Sequence, residues 1–377
     1  MSMRTYVVGG AVRDQLLGLP VQDRDHVVVG ATPAQMLEAG YRAVGKDFPV
    51  FLHPRTQEEY ALARTERKTA PGYHGFAFHA APDVTLEQDL VRRDLTINAM
   101  ALGDDGAIVD PYGGRRDLEA RLFRHVSPAF AEDPVRILRI ARFAARLADF
   151  TVAEETNALM RQMVEAGEVD ALVPERVWQE LARGLMERRP SRMLAVLRAC
   201  GALARILPEL DASWDAAEDA GARLMATVDR AAAEDHPLDI RFAVLVHGVA
   251  APATGLKPIE DICARLKVPN DCRDLALMTA REHDSIERAP ALGAQELVRL
   301  VERCDGLRKP ERFARMLLAF ECVAPENGPQ RPFLLRALEA ARGVNAGEIA
   351  ARCAADKSRI PEAVHLARLA AVEAAMT

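Results

Sequence analysis

The first 25 residues constrain this chain more than any other stretch. Arg4-Thr5-Tyr6-Val7-Val8 leads directly into Gly9-Gly10-Ala11-Val12-Arg13-Asp14, and Asp23-Arg24-Asp25 precedes a second apolar run, His26-Val27-Val28-Val29-Gly30. The β-branched runs predict two strands, which sets the order strand, glycine turn, helix, strand. Without side chains, Gly9 and Gly10 let backbone N–H groups approach an anion. A helix starting near Val12 then points its positive end at that anion. On a strand of period two, Asp23 and Asp25 project from one face, about 6–7 Å apart. Two carboxylates so placed suit divalent cations, with Mg²⁺ preferring carboxylate oxygens and phosphates as ligands. A plain turn and a solvated strand end are the alternatives for each half alone; only the joint pattern points to chemistry.

The chain changes character along its length. Residues 1–125 mix short β-branched runs with glycine and proline, with strands expected at 4–9, 25–29, 49–53, 58–65 and 107–110. Helices are expected there at 12–18, 33–39 and 86–102. From about Pro128, alanine, leucine and arginine dominate with a 3.6-residue period, as in 134–148, 174–187, 294–303 and 310–323. This predicts an α+β protein: a head with a mixed sheet (1–127), a helical neck (128–210) and a helical body and tail (211–377). The stretch Lys68–Asp83 is rich in glycine, proline and alanine and reads as a mobile loop.

Composition narrows the class. The net charge of −6 excludes a wholly basic nucleic-acid-coating protein, although a local groove can still be positive. Only six of the 49 basic residues are lysine, so arginine is common everywhere. No apolar run approaches the ~18–20 residues of a membrane span, and no signal-peptide pattern is present, so no membrane partner is expected. The six cysteines lack CxxC spacing and read as buried thiols of a reducing cytoplasm rather than a disulfide frame or zinc site.

Three further stretches carry chemistry. Glu59 starts an alternating strand (Glu59-Tyr60-Ala61-Leu62) and is placed to bring a third carboxylate near Asp23 and Asp25; an exposed strand glutamate is the alternative. In Arg92-Arg93-Asp94-Leu95-Thr96-Ile97-Asn98-Ala99, Arg93 offers a fork of donors for triphosphate oxygens. Asp94 and Asn98, one turn apart, suit holding a ribose hydroxyl or an arginine, or simply pairing on a helix surface. In Glu132-Asp133-Pro134-Val135-Arg136, the acids suit the positive end of a helix. Along that helix Ile137, Ile140, Ala141, Ala144 and Leu147 share one face. Arg136, Arg139, Arg142 and Arg146 share the opposite one, with no acid between 134 and 148.

These motifs together resemble the class II nucleotidyltransferases, the bacterial tRNA CCA-adding enzymes and poly(A) polymerases. The resemblance rests on GGAVRD with DRD, on the RRDxxxNA stretch at 92–99, and on an EDxxRxxR stretch at 132–139. Asp110 to Asp117 is similar to the family's DxxxxGxxD signature, with an offset glycine, and reads as a structural turn. The neighbouring stretches 45–54 and 61–68 favour the CCA-adding branch. The resemblance implies a polymerase-β-like head using two Mg²⁺ ions on Asp23 and Asp25, with Glu59 as a further catalytic carboxylate. It also implies that Gly9, Gly10, Arg13, Arg93, Asp94 and Asn98 bind the nucleotide. Asp133 and Arg136 would select C or A, and Arg139 and Arg142 would hold triphosphate or stack on the nucleotide. The selection makes chemical sense. A carboxylate accepts from the exocyclic amine that C and A share, and a guanidinium donates to the neighbouring ring acceptor. The expected substrates are CTP, ATP and the 3′ end of tRNA. A poly(A) polymerase, a partial CC- or A-adding enzyme, and an inactive RNA-binding protein are the rival readings.

Many enzymes of this branch carry a second, phosphohydrolase site with a His-Asp pair. Here Gly248 follows His247 where the aspartate belongs, while His236 and His283-Asp284 survive nearby. Without a bridging carboxylate no hydrolase activity is expected, and His247 reads as a packing residue. Arg176, Arg183, Arg188, Arg189 and Arg192 are candidate RNA contacts.

Overall fold

A computed structural model describes residues 3–44, 50–68, 76–250 and 255–376. The glycine pair does what its sequence predicts. Strand β1 (Arg4–Val8) ends at Gly9, and helix α1 (Gly10–Leu16) begins at once. Strand β2 (Asp25–Val29) returns antiparallel to β1, with Val8 opposite Asp25. Helix α2 (Pro33–Glu38) opens with a capping box in which Thr32 and Gln35 satisfy each other's backbone N–H. Strands β3 (Arg42–Ala43), β4 (Val50–Leu52) and β5 (Glu59–Leu62) follow. Among the described residues, strands β6 (Thr65–Lys68) and β7 (Phe76–His79) form a two-stranded sheet of their own. Helix α3 (Leu86–Leu90) leads to strands β8 (Ala101–Gly103) and β9 (Ile108–Val109). The main sheet has the order β3-β4-β5-β2-β1-β8-β9, and among the described residues only its β2–β5 pairing is parallel.

Both faces of this sheet are covered, because alternate side chains of β2 enter different cores. Val27 packs with Val8, Leu86, Leu90 and Ala99. Val28 packs with Met36, Phe51, Tyr60 and Leu62 on the other face. The parallel register sets His26 opposite Tyr60, and their rings stack 4.1 Å apart. Asp25 and Glu59, each one residue earlier, are therefore aimed together at the opposite face.

Three expectations need correcting. The helix expected at 86–102 stops at Leu90. Leu95 is extended, Thr96–Asn98 form one 3₁₀ turn, and β8 pairs with β1. The Asp94 carboxylate takes the N–H of Leu95 at 2.9 Å, a local bond that competes with helix continuation. The strand expected at 58–65 is two, β5 and β6, separated by Ala63 and Arg64. The stretch 68–83 is not one loop, since it contains the end of β6 and all of β7; residues 69–75, and 45–49 of the 45–54 motif, lie outside the described residues.

Helix α4 (Gly114–Glu119) follows the turn at Asp110, whose carboxylate takes the N–H groups of Gly114 and Arg115 at 2.7 and 2.9 Å. The helix expected at 134–148 is α5 (Val135–Arg146). Beyond it the described chain is helical apart from the short strand Thr151–Val152. The chain forms two compact units, Met1–Arg176 with Ala195–Ile206, and Val177–Leu194 with Leu207–Thr377. Among the described residues, no helix is long and apolar enough to cross a membrane.

Candidate active site

The three acidic residues come together at the end of β2 and β5. Asp23, Asp25 and Glu59 are all exposed and line one cleft of about 620 Å³, together with Glu58. Asp23 lies before the strand rather than on it, so the strand spacing expected for the pair does not apply to it. Four carboxylates face this cleft beside Gln22, Arg24, Thr56 and Gln57, and carboxylate oxygens are the donors that hard divalent cations prefer.

Gly9 directly follows Val8, the strand partner of Asp25. Its φ of +74° lies in the left-handed region, and a Cβ there would sit 2.9 Å from Arg93 Nη1. Glycine is thus required both by conformation and by the close approach of Arg93. Arg93 is anchored by Asp89, whose carboxylate also takes Arg92 Nη2 at 2.9 Å and the Arg64 N–H at 3.2 Å. Burial alone would raise the Asp89 carboxyl, but Arg92 and Arg93 outweigh it and hold its pKa below the ordinary range. Arg93 Nε is buried without a hydrogen-bond partner among the described residues.

Behind this layer lies a chain of ion pairs whose acids, Asp14 and Asp94, are buried. Asp94 accepts from Asn98 Nδ2 at 3.0 Å and from Arg139 Nε at 2.8 Å. Burial opposes its ionised form, yet Arg139 and these bonds keep its pKa well below the usual carboxylate range. Asn98 Oδ1 in turn accepts from Arg13 Nη1 at 2.7 Å. Arg13 also holds Asp14, which Arg146 reaches at 2.8 Å. The Phe143 ring lies beneath three guanidinium groups, those of Arg142, Arg13 and Arg139, at 4.7, 5.0 and 5.6 Å from its centroid. The arginine face of α5 is therefore not a solvated face. Its acids come from Asp14 and Asp94, far away in sequence. Arg13, only 2 % exposed, is a strut between α1 and the Thr96–Asn98 turn rather than an open donor.

The Arg136 backbone N–H bonds the Asp133 carbonyl at 3.0 Å. Arg136 donates to the carbonyls of Ala129 at 3.0 Å and Arg92 at 2.7 Å, tying α5 to the arginine motif. Asp133 accepts from the Val135 N–H at 3.1 Å and from Arg176 Nη2 at 3.1 Å. Arg176, expected among the RNA contacts, is thus a partner of the Asp133 carboxylate. Of the other candidates, Arg183, Arg188 and Arg189 are exposed and Arg192 is half-buried. Asp89, Phe143 and Arg176 were missed as site residues. Only Asp89 had a local signal, its i+3 and i+4 spacing to Arg92 and Arg93.

Residues 5–124 match the poly A polymerase head domain, and residues 149–213 match a probable RNA and SrmB-binding site of polymerase A. The chain is 61 % identical to a multifunctional CCA protein of Cupriavidus pinatubonensis, covering 99 % of this chain and 98 % of that one. It is 60 % identical to one from Janthinobacterium, with 99 % and 98 % covered. The chain belongs to the CCA protein family. Its fold is shared with a Bacillus stearothermophilus CCA-adding enzyme in complex with CTP, at 25 % identity and a TM-score of 0.73, with 99 % of this chain and 89 % of that one covered. A Thermotoga maritima CCA-adding enzyme complexed with tRNA shares the fold at 23 % identity and a TM-score of 0.72, with 99 % and 88 % covered. The head of this CCA family member is accordingly polymerase-β-like.

The region expected to hold a decayed hydrolase site lies in the second unit. His247 ends the helix Leu238–His247, and its Nε2 lies 3.1 Å from His283 Nδ1. The His283 ring packs on Phe320. Burial, helped by His283, lowers the His247 pKa to about 4, so the ring is neutral at pH 7. Part of the following stretch, 251–254, lies outside the described residues.

Proposed function

We propose that this chain completes and repairs the 3′-terminal CCA of tRNA from CTP and ATP, without a nucleic-acid template, releasing pyrophosphate. The gathering of Asp23, Asp25 and Glu59 in one cleft, next to Gly9 and Arg93, carries this reading. The cleft's exposed carboxylate oxygens fit two Mg²⁺ ions, with Asp23 and Asp25 as the holding residues. When bound, such ions activate the tRNA 3′-hydroxyl and neutralise the triphosphate. Glu59 adds a third carboxylate on the face that Asp25 occupies. The turn at Gly9 and Gly10, free of side chains, and the guanidinium of Arg93 hold the phosphates, so that the 3′-hydroxyl meets the α-phosphorus in line. Arg13, Asp94, Asn98 and Arg139 position this layer from behind, and Arg142 completes it over Phe143.

Asp133 accepts from the amine of C or A, and Arg136 donates to the adjacent ring acceptor. G and U present an oxygen to that carboxylate, and the unpaired buried groups reject them. Arg136 is hydrogen-bonded to two carbonyls, so reading a base requires it to shift, while Arg176 fixes Asp133. We assign the head (1–127) to catalysis, the neck (128–210) to selection and the body (211–377) to gripping tRNA. The six free cysteines, five of them buried, fit the reducing cytoplasm. Asp23→Ala should abolish nucleotide transfer while leaving tRNA binding intact; an active Asp23→Ala enzyme would refute the metal assignment.

The second unit, on this reading, has no phosphohydrolase activity, because Gly248 offers no carboxylate beside His247. A chromogenic phosphodiester incubated with the protein and divalent metal should stay intact; metal-dependent turnover lost in His247→Ala would contradict this.

A further inference from the structure

The second unit contains a cluster for which nucleotide transfer has no use. Glu234 caps the end of the helix Ala220–Ala233, His236 lies in the turn that follows, and Cys322 lies near the end of the helix Pro310–Val323. His236 Nε2 is 2.9 Å and Cys322 Sγ 3.9 Å from the same oxygen, Glu234 Oε2. One ligand atom from each residue lies within 4.8 Å of the others. A tetrahedral zinc ion, with Zn–S of about 2.3 Å and Zn–N or Zn–O of about 2.0–2.2 Å, spaces such ligands about 3.3–3.6 Å apart. Both measured separations are within about half an ångström of that spacing.

The backbone around the cluster is already fixed. Asp235 adopts a left-handed φ of 51°, and the His236 N–H bonds the Ala231 carbonyl at 3.1 Å. Arg241 Nε holds the His236 carbonyl at 2.6 Å, and Arg230 Nη1 holds the Cys322 carbonyl at 2.8 Å. Little rearrangement is therefore needed to close the three ligands around an ion. Glu234 is exposed and Cys322 fully buried, so the carboxylate side is the way in and leaves a fourth position to water. A thiolate, an imidazole and a carboxylate form a borderline-soft set. It suits zinc, whereas Mg²⁺ and Ca²⁺ take oxygen donors.

We propose that Glu234, His236 and Cys322 form a zinc(II) site that ties the turn after the helix Ala220–Ala233 to the helix Pro310–Val323. No sequence spacing announces it, because the thiol lies far along the chain from the other two ligands. This assignment separates Cys322 from the other five cysteines, which remain plain thiols.

The test uses the full chain, stripped with a chelator and titrated with Co²⁺ in excess Mg²⁺. A near-ultraviolet thiolate-to-cobalt band should grow to one ion per chain and be displaced by Zn²⁺. Cys322→Ser should remove the band. His236→Gln and the exposed Glu234→Gln should weaken cobalt binding at least about tenfold, with circular dichroism and CTP-dependent extension unchanged. Absence of the band in the wild type, its survival in Cys322→Ser, or undiminished binding in both folded glutamine variants would overturn the site.

Discussion

Arg139 Nε meets Asp94 Oδ2 at 2.8 Å, joining helix α5 to the arginine motif of the head. Around this bond, Asn98, Arg13, Asp14 and the half-buried Arg146 form a relay of polar partners. Such a network holds donors and acceptors in place only when every member is satisfied.

Removing Asp94 should therefore cost both stability and catalysis. Asp94→Ala leaves Asn98 Nδ2, the Leu95 N–H and Arg139 without their acceptor, a loss of about 2–3 kcal/mol, read from the urea midpoint. Because the folded pKa of Asp94 is held below its ordinary 3.8, its stabilisation is present above about pH 4 and is lost as pH falls below that. The wild type should lose stability there, and Asp94→Asn should flatten that part of the profile.

Gly9→Ala tests the close approach of Arg93. The added methyl group would press on Nη1 and adopt a positive φ, at a cost of about 1 kcal/mol in stability. The larger effect should be kinetic, with kcat/KM for CTP falling at least about tenfold, equivalent to about 1.4 kcal/mol. Gly10→Ala, whose Cβ would lie 3.4 Å from Arg13 Nη2 at ordinary φ, should be milder.

Arg176→Ala should loosen Asp133 without unfolding the protein. The preference for CTP and ATP over UTP and GTP should fall about tenfold, while tRNA affinity changes little. A variant with intact selectivity and weakened tRNA binding would return Arg176 to the RNA contacts.

Much of the site was legible because its signals are local. Glycine after a β-branched run and Asp-x-Asp before the next strand each act within a few residues. What escaped was non-local. Nothing near Arg146 announces Asp14, and nothing near Asp133 announces Arg176, since the fold alone brings these residues together. The helix expected through 86–102 failed for a related reason. Its periodicity was sound, but Asp94 bonds its own neighbour's N–H and β8 gains more by pairing with β1.

His247 gives the second unit a pH dependence of opposite origin. Its folded pKa of about 4 lies below the ordinary 6.5, so unfolding takes up a proton as pH falls. Stability from the neutral His247–His283 contact is complete above about pH 6.5 and is lost progressively toward pH 4, by roughly 3 kcal/mol. Thermal melts of the wild type and His247→Gln between pH 7.5 and 5 should converge as the pH drops; parallel curves would show that His247 does not titrate on unfolding.

The most direct measurement is primer extension on a tRNA transcript ending at the discriminator base, with Mg²⁺ and CTP, ATP or both. The predicted result is two additions with CTP alone and a third only when ATP is also present. A long ladder with ATP alone, or no extension by protein that still binds tRNA, would contradict the account.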